Sequence, residues 1–277
     1  MKRTLNRIFA SAISAGLAIA ALSVATVGCE IKPISELTAE DGVVRLRALH
    51  KDENWERLIQ EVNEYKSRYP YSQYASEADL LQADAYFRTN RHPEAIANYD
   101  DFLRRNPSHP QADLALFRIA NSYDKQSPEA VDREQATTQR AIEKYKELIQ
   151  KFPRSAHTPE SATRIAALKR RVADHHMFIG EFYRKKELWH GALTRFLFVA
   201  DNYADVKELQ SNALEKAAEA YNKLAEQLEK DPKSDALSYF RSSTPEQLKI
   251  KANQLLERSK ALSGSGGTNE AEPKREG

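Results

Sequence analysis

"AIANYDDFLRRNP" (residues 95–107) and "AIEKYKELIQKFP" (residues 141–153) are two copies of one pattern. Each opens on Ala-Ile, places a tyrosine four residues after the Ala, continues with a Phe/Leu–Leu/Ile pair and closes on proline. "LIQEVNEYKSRYP" (58–70) keeps Leu58, Val62, Tyr65 and Pro70 at the same offsets, and "ALTRFLFVADNYA" (192–204) keeps Ala192, Phe196 and Val199 with Ala204 for the proline. Apolar residues three and four apart define one face of a helix, and the proline ends it. Upstream lies a second recurring piece. Ala83, Ala120, Gly180 and Ala218 each stand three residues before a tyrosine, at Tyr86, Tyr123, Tyr183 and Tyr221. Tyr86 and Tyr183 in turn lie nine residues before Ala95 and Ala192.

A small residue before Tyr, nine residues to Ala, an aromatic and then Pro is the tetratricopeptide (TPR) pattern. The small residues let two helices approach closely, and the aromatics fill the space between hairpins. The expected fold is all-α: a TPR helical-hairpin solenoid of about five repeats. Departures from the period locate its irregular parts. Tyr123 to Ala141 spans 18 residues instead of nine, so the third repeat carries an insertion around "DKQSPEAVDRE". Pro153 to Tyr183 spans 30 residues against 16 in the two preceding repeats, which predicts one long helix over "PESATRIAALKRRVADHHMFIGEFYRKK". A fifth hairpin begins near Glu208, has a loop insertion at 230–244, and resumes after Thr244-Pro245-Glu246 to about Leu262.

The first residues read differently. Lys2, Arg3 and Arg7 precede an uncharged run from Ile8 to Val27, and small residues lead to Cys29, the single cysteine of the 277-residue chain. A lone thiol builds neither an internal disulfide nor a zinc site. The segment has the layout of a secretory signal, rich in Ala, Ser and Gly rather than Leu and Ile; an uncleaved anchor is the alternative. Val27-Gly28-Cys29 resembles a bacterial lipobox, with Thr26 where Leu is usual. That resemblance implies diacylglycerol and an N-acyl chain on Cys29 and, with Glu30 following, the inner leaflet of the outer membrane.

The expected organisation is 1–28 signal peptide, 29–37 lipidated tether, 38–107 repeats 1–2, 108–262 repeats 3–5, and 263–277 a Gly/Ser-rich, charged, disordered tail. Loss of residues 1–28 leaves 39 Lys and Arg against 40 Asp and Glu, so the basic whole-chain balance disappears. Nothing in that charge calls for nucleic acid.

Catalytic patterns are missing: there is no HExxH, no G-x-x-x-x-G-K and no G-x-S-x-G. His175 and His176 are neighbours on a helix, about 100° apart, which argues against a shared metal and for solvated side chains. The chain is therefore expected to be no enzyme, with no metal and no cofactor other than the lipid. Lys169-Arg170-Arg171 and Lys185-Lys186 read as a solvated face or a partner surface.

Beyond generic TPR features, "NWERLIQEVNEYKSRYPYSQYASEADL", the Asn-Pro-x-His-Pro turn after "AIANYDDFLRR", "LIQKFPRSAHTPES" and the long fourth-repeat helix resemble the BamD family of lipoproteins in the β-barrel assembly machinery. The resemblance covers roughly residues 36–225; "KDPKSDALSYFRSS" has no counterpart in it. It implies a scaffold that binds the POTRA domains of the barrel-forming subunit, accessory assembly lipoproteins and the C-terminal signal of unfolded outer-membrane proteins. Arg195, six residues after Trp189, matches an arginine that pairs with a POTRA acid in the family, and the resemblance makes Arg195 and Trp189 the candidates for partner binding; the alternative for Arg195 is a solvated helix charge. For the substrate peptide, Tyr69, Tyr71 and Tyr74 in the first inter-repeat turn are better candidates than Tyr65 and Tyr86, which occupy packing positions. A generic periplasmic TPR lipoprotein of envelope division or Tol–Pal coordination is the competing function.

Overall fold

A computed structural model describes residues 32–264 apart from 233, 234 and 241. The signal segment, Cys29 and the end of the tail therefore lie outside the described residues. Among the described residues ten α-helices follow one another: α1 (Ala39–Lys51), α2 (Trp55–Arg68), α3 (Ala75–Arg88), α4 (His92–Arg105), α5 (Ala112–Gln126), α6 (Ala136–Lys151), α7 (Thr158–Lys185), α8 (Trp189–Asn202), α9 (Lys207–Lys230) and α10 (Pro245–Gly264). Each helix packs on its neighbours in sequence, giving five hairpins, and first helices of adjacent repeats also touch, as in α1–α3, α3–α5 and α7–α9. That side is the inner face of a TPR solenoid.

The recurring residues form its interior. Ala95, Ala141, Ala192, Tyr145 and Phe196 are fully buried, and Tyr99 nearly so. A Cβ built on Gly180 would lie 2.5 Å from the Phe196 ring, so helices α7 and α8 meet at a distance only glycine allows. The nine-residue step from Tyr to Ala also has a local cause. Between the helices of hairpins 1, 2 and 4 the chain turns through one left-handed residue, Glu53, Asn90 or Glu187, with φ 55–58°. The next N–H then reaches back to close the helix: Arg91 N donates to Tyr86 O and Leu188 N to Tyr183 O, both at 2.9 Å.

The irregular segments are structured too. The long helix α7 runs for 28 residues. The third-repeat insertion is held through the Val131 carbonyl, which meets His175 Nδ1 at 2.6 Å. In the 230–244 insertion, Asp235–Phe240 forms a 3-10 turn that buries Leu237 and Phe240 in the C-terminal core, while the exposed Tyr239 stacks on His190. Thr244 and Gln247 exchange backbone-to-side-chain hydrogen bonds, a capping box that starts α10. Ahead of α1, Ile34–Glu36 forms a 3-10 turn with Ile34 buried beneath α1 and α2.

Among the described residues the buried apolar side chains separate into three clusters. One is continuous from Leu116 to Leu255, through hairpins 3 to 5; the two smaller ones serve hairpins 1 and 2 and their junction with α5.

Candidate functional site

The inner face is lined by acid–base contacts that step from repeat to repeat. Asp84 on α3 meets His50 of α1 at 2.7 Å and Arg118 of α5 at 3.9 Å. It also accepts from the Tyr99 hydroxyl of its own hairpin at 3.3 Å. Asp124 repeats this role, accepting from Tyr145 at 3.3 Å and facing Arg164 of α7 at 3.5 Å. Glu181 on α7 then pairs with Lys216 of α9 at 2.6 Å and with Arg184 at 2.9 Å. Burial raises the Glu181 carboxyl, but the hydrogen bonds from Lys216 and Arg184 outweigh it and hold the group below its ordinary value.

Between α1, α3, α4 and α5 this face opens into a groove of about 220 Å³, floored by Leu80, Leu81 and Leu114 and edged by His50, Glu77 and Arg118. Apolar floor and charged rim together suit an extended peptide with a polar end. The Arg118 guanidinium lies over the Phe87 ring at 4.5 Å. Sequence reasoning did not single out His50, Asp84 or Arg118. The available signal was their spacing: 34 residues from His50 to Asp84 and 34 more to Arg118.

The three turn tyrosines are not equivalent. Tyr71 is 99% exposed, whereas Tyr69 and Tyr74 pack against the first core cluster. The Tyr69 hydroxyl donates to the Leu37 carbonyl and its ring tilts against Tyr65, so it braces the entry to α1. None of the three is among the residues lining the groove. Tyr65 is fully buried and Tyr86 partly so.

On the flank of hairpin 4, Arg195 and Trp189 lie on different sides of α8, as their separation of six residues requires. Trp189 packs against the C-terminal core. Arg195 is half-buried and its Nη1 meets His176 Nδ1 at 3.1 Å. The expectation that His175 and His176 are solvated fails: both are buried, because the insertion covers one and Arg195 and Phe198 cover the other. Burial first, then the charges of Arg195 and His175, push His176 down to about 4, so it is a neutral acceptor at pH 7. Of the basic runs, Lys169 pairs with Asp205 at 2.5 Å and Arg170 with Asp174 at 3.3 Å, while Lys185 and Lys186 are exposed.

Among the described residues no group of three His, Cys, Asp or Glu could hold a metal, and no helix is long and apolar enough to cross a membrane.

Fold and site together define a TPR-type solenoid whose inner face carries a lined groove. The model of the YfiO family, described as outer membrane lipoprotein, matches residues 46–236, and the chain belongs to that family. It is similar to the outer membrane protein assembly factor BamD of Vibrio cholerae, 27% identical with 61% of this chain and 74% of the relative covered. The factor of the same name in Neisseria meningitidis serogroup B is 28% identical, with 72% and 79% covered. That of Caulobacter vibrioides is 27% identical over 61% of this chain, which spans only 54% of that relative's length. Among solved structures, the TPR2AB domain of yeast Sti1 aligns over 82% of this chain and 91% of its own at 16% identity, with a TM-score of 0.38.

Proposed function

We propose that this chain is a non-enzymatic, lipid-anchored scaffold of outer-membrane β-barrel assembly. The observation that carries the reading is the family match, which runs from the first hairpin into the fifth and so includes both the groove and the Arg195 flank. Cys29 carries the lipid and keeps the solenoid at the periplasmic face of the outer membrane. The inner groove between α1 and α5 takes an extended segment of an unfolded barrel protein, with exposed Tyr71 as an outlying aromatic contact. The flank bearing Arg195 meets an acid on the POTRA domains of the barrel-forming subunit, and accessory lipoproteins use other faces. Trp189, packed into the core, supports that flank from within.

Co-purification from detergent-solubilised outer membrane tests this. Recovery of a POTRA-bearing barrel protein, with loss of folded barrels on depletion, is the expected result. Recovery of Tol–Pal components without such a barrel overturns it in favour of the envelope-division alternative.

A further inference from the structure

Three guanidinium groups on α7 face carboxylates. Arg164 faces Asp124 at 3.5 Å, Arg170 faces Asp174 at 3.3 Å, and Arg184 faces Glu181 at 2.9 Å. Arg195 differs. Among the described residues it has no ion pair, and its one hydrogen-bonding partner is the His176 imidazole at 3.1 Å. An arginine keeps its full charge, and a neutral acceptor fixes its direction without offsetting that charge. An acid in the same place would orient the side chain and cancel it.

The histidine is itself held. It is buried at 8% exposure under the Phe198 ring, whose centroid lies 4.2 Å away. Because Arg195 donates to Nδ1, the proton of the neutral ring sits on Nε2. Phe198 remains 37% exposed and continues into a groove of about 220 Å³ lined also by Ile142, Glu143 and Lys146 of α6, Lys169 of α7 and Asn202 of α8. A free cation thus stands beside an open aromatic edge, the complement of a carboxylate with an apolar neighbour.

We propose that His176 is a positioning residue for partner binding: as a neutral acceptor it holds the Arg195 guanidinium, uncompensated, where a partner carboxylate meets it beside Phe198. This rests on the reading of Arg195 as a contact for the POTRA-bearing subunit. Protonating His176 would place a second positive charge against Arg195, and the low proton affinity given by burial keeps that state out of the neutral range.

The test is the affinity of the full, detergent-solubilised chain for the POTRA fragment of the barrel-forming subunit, measured for the wild type, R195A, H176L, H176Q and R195A/H176L. Arg195→Ala is expected to weaken binding at least tenfold. His176→Leu should weaken it about fivefold or more with unchanged helicity, whereas His176→Gln, which retains an acceptor oxygen, should recover most of the affinity. In the R195A background, His176→Leu should cost nothing further, because its effect runs through the arginine. If Arg195→Ala weakens binding but His176→Leu leaves it at the wild-type value, positioning is refuted while the Arg195 contact stands. The same holds if His176→Leu weakens the R195A protein as much as the wild type. If Arg195→Ala has no effect, the contact itself is wrong and the proposal falls with it. His176→Gln also guards against misfolding of the leucine variant: equal losses in both histidine variants, with normal thermal stability, refute the acceptor role.

Discussion

The Tyr145 hydroxyl donates to the Asp124 carboxylate at 3.3 Å, joining the two helices of the third hairpin from one side of the core to the other. The same bond, at the same length, links Tyr99 to Asp84 one repeat earlier. Burial, and then the neighbouring acid, raise both hydroxyls, so each remains a donor throughout the physiological range. The tyrosine of the repeat therefore both fills space and orients the acid that meets the next repeat's arginine.

Tyr145→Phe should destabilise the protein by roughly 1 kcal/mol, the worth of one such hydrogen bond, with a small change in volume. Hydrogen exchange should show the loss first in α5 and α6, since repeats contact mainly their neighbours. Uniform loss of protection from α1 to α10 would contradict the nearest-neighbour account.

Gly180→Ala should cost about 1–3 kcal/mol, because the new methyl lies 2.5 Å from a fully buried Phe196 ring that must move. Thermal denaturation measures this. Combining it with Phe196→Leu should recover part of the loss.

Glu187→Gly should stabilise the α7–α8 turn by roughly 0.5–1 kcal/mol, since its φ of 58° is strained for glutamate and free for glycine. Urea denaturation of the variant should show a higher midpoint with an unchanged slope.

Acid should weaken the fold in two stages. His176 titrates near 4 in the folded chain and near 6.5 when unfolded, so as pH falls the unfolded state takes up the proton first. Its contribution, on the order of 3 kcal/mol, is complete above 6.5, is lost between 6.5 and 4, and changes no further below. His92, lowered by burial and by Lys125, acts in the same direction. Glu147 and Glu181, both lowered, add their loss as pH falls through and below about 4.5. His176→Gln should flatten the upper stage of a stability–pH curve and leave the lower one.

Arg118→Ala should weaken capture of an unfolded barrel segment about tenfold, if the inner groove holds its polar end. Tyr69→Phe should instead lower stability, through the lost bond to the Leu37 carbonyl, and leave capture intact. Fluorescence titration with a labelled C-terminal barrel peptide separates the two.

The hairpins and the long fourth-repeat helix were legible in the sequence because packing positions recur at fixed offsets. Ala95, Ala141 and Ala192 mark the same step of each second helix, and the 30-residue interval before Tyr183 is filled by α7. Side-chain partners across repeats were not legible in that way. His176 looked solvated because helical periodicity says where a residue points, not what stands opposite; Arg195 and Phe198 come from the next helix. His50, Asp84 and Arg118 were missed because none of them stands at a packing position of the repeat, which records the interior rather than the inner face. The tyrosines of the "RYPYSQY" turn share a sequence neighbourhood, yet only Tyr71 is free of the core.

The single apolar cluster from Leu116 to Leu255 has a mechanical meaning. Hairpins 3 to 5 share one interior, in which α7 packs on α6, α8 and α9, so they should respond to load as a stiff bracket. The first two hairpins, with smaller separate interiors, form the compliant arm mounted on it. A pull transmitted through the N-terminal repeats would flex the groove before it disturbed the Arg195 flank.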